Sequence, residues 1–98
     1  MDKYLELVKK IILENIPKDE FDVFLFGSRA DGTNYFASDI DIGVKGSDLL
    51  DKKIIYKIKD KIDESMVPFK VDIIDFNDVN ETFKKEALKD IEIWNKSS

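Results

Sequence analysis

Three carboxylates are the side chains here with the most obvious capacity for chemistry. Asp39 and Asp41 fall two apart in Asp39-Ile40-Asp41-Ile42-Gly43-Val44, a strict alternation that reads as a strand with one apolar and one acidic face. Both side chains then leave the same face, roughly 6.6 Å apart along the backbone. Two carboxylates so placed repel unless a cation lies between them, and a pair of Mg²⁺ ions about 3.5–4 Å apart is the arrangement they can bridge. Asp72 stands inside Val71-Asp72-Ile73-Ile74, where a carboxylate is costly to bury without a partner. If the two strands are neighbours, Asp72 joins the pair as a third ligand. Asp72 also fits a charge that guards a sheet edge. Upstream, Gly27 and Ser28 directly follow an apolar strand. A glycine there lets backbone approach a phosphate, and the serine adds N–H and hydroxyl donors. Arg29, the chain's single arginine, suits forked phosphate contacts, though a plain surface charge fits it equally well.

Composition removes most other chemistries. The 98 residues contain no His and no Cys. A Ser-His-Asp triad, a thiolate nucleophile and His- or Cys-bound zinc are therefore excluded. Carboxylates, lysines, hydroxyls and a hard oxygen-bound cation are left. Lys plus Arg is 16 against 21 Asp plus Glu, a net charge of −5, which argues against stable nucleic-acid binding by the chain alone. No apolar run approaches the roughly 20 residues that span a bilayer, and the first residues lack a signal-peptide layout. The expectation is one cytoplasmic domain over residues 1–98, without a membrane segment.

The elements that must position these residues follow from periodicity. Tyr4, Leu5, Val8, Ile11, Ile12 and Ile16 predict an amphipathic helix over about 2–15. Residues 21–26 read as a buried strand, 27–38 as a loop and 39–44 as the acidic strand. Ser47 is expected to cap a helix carrying Leu50, Ile54, Ile58 and Ile62 inward. A third strand is expected over 69–74, after Pro68. Asp78 and Glu81 have capping-box spacing for a last helix, with Phe83, Ala87 and Ile91 on its buried side. Asp75 and Asp78 read as turn and cap residues. Ile91 to Trp94 alternates and is taken as a short edge strand. In the loop, Tyr35 and Phe36 are as well suited to packing on the core as to touching a base or a partner. The order α-β-β-α-β-α-β predicts an α/β (α+β) fold, a small mixed sheet with helices packed on one face.

This layout resembles the DNA polymerase β-type nucleotidyltransferases, whose signature is Gly-Ser, ten residues, then Asp-x-Asp. Gly27-Ser28, ten residues and Asp39-Ile40-Asp41 match it without a gap. Over about residues 21–94 the chain is most similar to the minimal nucleotidyltransferase (MNT) group, which includes antitoxins paired with HEPN-domain toxins. Asp31, where many members carry a basic residue, and Asp90, where a Gly is common, depart from the pattern. The resemblance implies a polymerase β-like core that moves AMP from ATP to a hydroxyl with release of pyrophosphate. Gly27 and Ser28, with Arg29 and Ser38, would hold the β,γ-phosphates. Asp39 and Asp41 would bind two Mg²⁺ ions, with Mn²⁺ as a substitute. Asp72 would complete the first metal site and take the hydroxyl proton. The implied partner is a HEPN-type toxin, adenylylated on a tyrosine, in a hetero-oligomer or beside a homodimer. The other reading is an antitoxin that neutralises by contact alone.

Overall fold

The computed structural model describes residues 3–27 and 39–98. Helix α1 (Lys3–Asn15) is followed by strands β1 (Phe21–Phe26) and β2 (Ile40–Gly46), helix α2 (Lys52–Asp63) and strand β3 (Val71–Asp75). A 3₁₀ turn (Phe76–Asp78), helix α3 (Glu81–Ala87) and strand β4 (Glu92–Asn95) complete the chain. The sheet order is β3-β2-β1-β4. β1 runs antiparallel to both its neighbours, and β2 and β3 are parallel. The sheet is therefore mixed, as the element order predicts, and β4 is the expected short edge strand. No helix among the described residues is long and apolar enough to cross a membrane.

Alternation sorts the side chains into two layers. Val23, Leu25, Ile40, Ile42, Val44, Val71 and Ile73 form one buried face with Leu5, Val8 and Ile12 of α1 and Ile58 and Ile62 of α2. This is the dry side, where burial of the branched side chains supplies most of the stabilisation. The intervening residues Phe24 and Phe26 build a second cluster with Phe76, against which Ile74, Val79, Ala87, Leu88 and Ile91 pack. The two long helices thus cover one face. The short α3 closes part of the other. Gly43 makes this aromatic layer possible, because a Cβ there would collide with the rings of Phe24 and Phe76.

Several expected boundaries move, each for a local reason. Asp51, not Ser47, caps α2, its Oδ1 accepting from Lys53 N at 2.9 Å. Leu50 is buried ahead of the helix rather than within it. The segment between is held off helical geometry because Leu50 N donates to Asp75 Oδ2 at 2.7 Å. The Asn77 amide also donates to the carbonyls of Gly46 and Asp48. Strand β3 starts at Val71, two residues later than expected, while Phe69 turns its ring edge-on to Tyr4 at 5.9 Å. Asp75 is a cap, as expected, but of the 3₁₀ turn that buries Phe76. Helix α3 consequently opens at Asn80, whose side chain accepts from Phe83 N at 2.8 Å, and Asp78 caps nothing. Phe83, expected on a buried side, remains 41% exposed.

Candidate active site

The site is assembled on the aromatic face by strand register. Asp41 on β2 has Asp72 on β3 as its Cα partner on one side and Phe26 on β1 on the other. In-register residues of parallel neighbours point the same way, with backbones about 4.8 Å apart. The condition under which the sequence makes Asp72 a companion of the acidic pair is therefore met. β3 is an edge strand, so Asp72 also borders open space: a recess of about 210 Å³ lies beside it, lined by Lys59, Ile62, Phe69 and Lys70 among others. Asp39 is exposed and immediately precedes β2, whose first residue is tied to β3 by Ile40 N donating to Lys70 O at 2.9 Å.

Gly27 ends β1 with φ +78°, and a Cβ on it would lie 2.6 Å from Asp41 Oδ2. Positive φ and this close approach make glycine the residue that fits. The backbone at Gly27 thus lies directly against the carboxylate. Gly27→Ala is expected to cost about 1–3 kcal/mol, combining left-handed strain with displacement of Asp41. Denaturant unfolding measures this cost, and a variant as stable as the parent would contradict the contact. Ser28, Arg29 and Ser38, the other residues expected to hold phosphate, lie outside the described residues, as do Tyr35 and Phe36.

Electrostatics single out Asp41. Burial pushes its carboxyl above the ordinary 3.8, the neighbouring charges of Asp72 and Asp39 push it further, and Lys70 partly offsets them. Three anionic groups therefore share one field, and every side-chain donor is an oxygen, the set suited to a hard divalent cation. Among the described residues no three acidic side chains are grouped closely enough to hold a metal by themselves. Carboxylate oxygens are donors of the type that a hard divalent cation takes together with other oxygen ligands, such as those of a triphosphate.

Two neighbours escaped the sequence reading. Lys70 reaches Asp72, Nζ to Oδ1 at 4.0 Å, with its side chain 70% exposed, so the pair is weak. The period-two spacing of Lys70 and Asp72 was the available signal. The second is a recess of about 260 Å³ on the β1 side, lined by Phe26, Gly27, Phe83, Glu86, Ala87 and Asp90. It arises only when α3 folds over the sheet.

The chain is similar to known proteins in sequence and in fold. The chain is 31% identical over 85 residues to the Probable protein adenylyltransferase MntA of Haemophilus influenzae, covering 87% of this chain and 73% of that protein. It is 35% identical over 79 residues to the Protein adenylyltransferase MntA of Shewanella oneidensis, covering 81% of this chain and 55%, just over half, of that one. A crystal structure described as a toxin-antitoxin with AMP-PNP superposes with a TM-score of 0.73 at 25% identity, covering 99% of this chain and 75% of that one. A tri-AMPylated Shewanella oneidensis HEPN toxin in complex with its MNT antitoxin gives 0.64 at 23%, covering 95% and 72%, a likeness of fold. Residues 6–98 match the Polymerase beta, Nucleotidyltransferase family, and with register, glycine turn and acidic pair in agreement, the chain belongs to that nucleotidyltransferase family.

Proposed function

We propose that residues 1–98 act as one minimal nucleotidyltransferase domain that moves AMP from ATP onto a hydroxyl of a HEPN-type toxin, and that this modification makes the protein the toxin's antitoxin. The observation that carries the reading is the register of Asp41 with Asp72, with Gly27 packed against the Asp41 carboxylate. The names of its MntA relatives and the AMP-PNP-bound structural neighbour support adenylate as the transferred group.

Asp39, Asp41 and Asp72 would hold two Mg²⁺ ions, which supply charge neutralisation at the triphosphate and acidify the acceptor hydroxyl when bound. Gly27 and Ser28, with Arg29 and Ser38, orient the β,γ-phosphates through backbone and side-chain donors. The acceptor, a tyrosine hydroxyl of the toxin, approaches past the open edge of β3 beside Asp72. Its oxygen forms a bond to the α-phosphorus, the bond to the β-phosphate oxygen breaks, pyrophosphate leaves, and Asp72 takes the hydroxyl proton. Lys70 stands 4.0 Å from Asp72, at the border of the same site. The chain needs little else, since such transfer depends on positioning and electrostatics. With net charge −5, the protein suits a basic, RNA-binding partner surface better than RNA itself. The working assembly is a hetero-oligomer with the toxin in the cytoplasm, where ATP is at hand.

Incubating the protein with Mg²⁺, ATP and a HEPN-domain toxin, followed by mass spectrometry of the toxin, tests the reading. Added AMP units on a tyrosine are expected. A toxin that is silenced yet unmodified would replace adenylylation by neutralisation through contact.

A further inference from the structure

The recess beside Gly27 is not accounted for by phosphates, metal or acceptor. Its volume of about 260 Å³ is below the roughly 300–1,000 Å³ of pockets that enclose a whole drug-sized ligand. It has room for part of a nucleotide. Its walls are of two kinds. Phe83 meets Phe26 edge-on, centroids 6.1 Å apart at 88°, and Phe76 at 5.8 Å and 48°. These contacts and the Asn80 cap on its backbone N–H fix the ring, yet 41% of the residue stays exposed. One helical turn along the same face, Ala87 is short enough to leave the space open. At the rim stand Glu86 and Asp90, both exposed. Glu86 Oε1 accepts from Lys89 Nζ at 3.1 Å, so its second oxygen is available.

We infer that this recess is the base subsite, in which an adenine stacks on Phe83 and donates its 6-amino group to Glu86 and Asp90. The inference rests on the nucleotidyltransferase reading in one respect: it takes the triphosphate to lie at Gly27, which also lines the recess. Continuity with that glycine says which ligand enters, and the volume says which part of it. Ionised Glu and Asp only accept hydrogen bonds, so the contact proposed here uses the 6-amino group of adenine, a donor that the 6-oxo group of hypoxanthine does not replace. Asp90, which departs from the family pattern by standing where a Gly is common, gains a role as an acceptor at the rim.

The full chain with Mg²⁺ can be titrated with a non-hydrolysable ATP analogue, the corresponding inosine analogue and inorganic tripolyphosphate. Phe83→Ala is expected to weaken the ATP analogue about tenfold, the size of one lost base stack, and to leave tripolyphosphate unchanged. Phe83→Tyr should restore affinity. The parent should prefer the adenosine to the inosine analogue several-fold, and combining Glu86→Gln with Asp90→Asn should shrink that preference. An alanine variant that binds the ATP analogue like the parent overturns the subsite. So does one that loses analogue and tripolyphosphate equally, although the nucleotidyltransferase reading then stands. A parent that binds neither probe overturns both.

Discussion

Asp41→Asn is expected to lower AMP transfer by about 10³-fold or more and at the same time to make the protein harder to melt near neutral pH. The first effect follows from losing a carboxylate that no other side chain replaces at the centre of the site; the largest transition-state terms in such reactions are electrostatic. Asp39→Asn should behave the same way in transfer, and a near-normal rate in either variant would refute the two-metal assignment. The second effect follows from the position of Asp41 itself. Burial raises its carboxyl above 3.8, and repulsion from Asp72 and Asp39 adds to this. A raised folded-state value means that the folded protein binds more protons than the unfolded chain in the window above 3.8. Stability contributed by this group therefore falls as pH rises through that window. Removing the charge removes the penalty. The melting temperature of the variant should exceed the parent's at pH 7, and the gap should close as pH falls toward 3.8. Saturating Mg²⁺ with an ATP analogue should close it from the other side by stabilising the parent.

Asp72→Asn should produce a different signature. It lowers the chemical step by about 10²–10⁴-fold, the range for removing a positioned general base. The metal–nucleotide complex should still bind with only moderately weaker affinity, because Asp39, Asp41 and the Gly27 turn remain. Single-turnover transfer and equilibrium binding of a non-hydrolysable analogue separate the two quantities. A variant with intact transfer, or one that no longer binds nucleotide, would remove Asp72 from the role of base.

Legibility in the sequence tracked the range of the interactions involved. β1 follows from an aromatic and β-branched run, the short β4 from local alternation, and α1 from three- and four-residue spacing, because each element must repeat the apolar side chains it buries. The caps were misplaced for the opposite reason. Ser47 and Asp78 are good capping types at plausible spacing, but distant partners settled where each helix begins. Asp75 holds Leu50 across 25 positions, Asn77 holds Gly46 and Asp48, and burial of Phe76 takes up the turn before Asn80.

The candidate site divides along the same line. Gly27-Ser28, ten residues and Asp39-x-Asp41 are a pattern in one dimension, and the sequence by itself determined the family resemblance and the absence of His and Cys chemistry. Whether Asp72 comes to lie beside Asp41 was not a local matter. It depends on which strand lies beside β2 and in what register. That is decided by Ile40, Ile42, Val71 and Ile73 finding one buried face under α1 and α2. A one-residue slip would have turned Asp72 into that apolar layer. The 41%-exposed ring of Phe83 and the recess beneath it likewise exist only because α3 crosses the aromatic face of the sheet. Periodicity specifies which side chains must be hidden together, whereas only packing specifies which charged and aromatic groups are left facing one another.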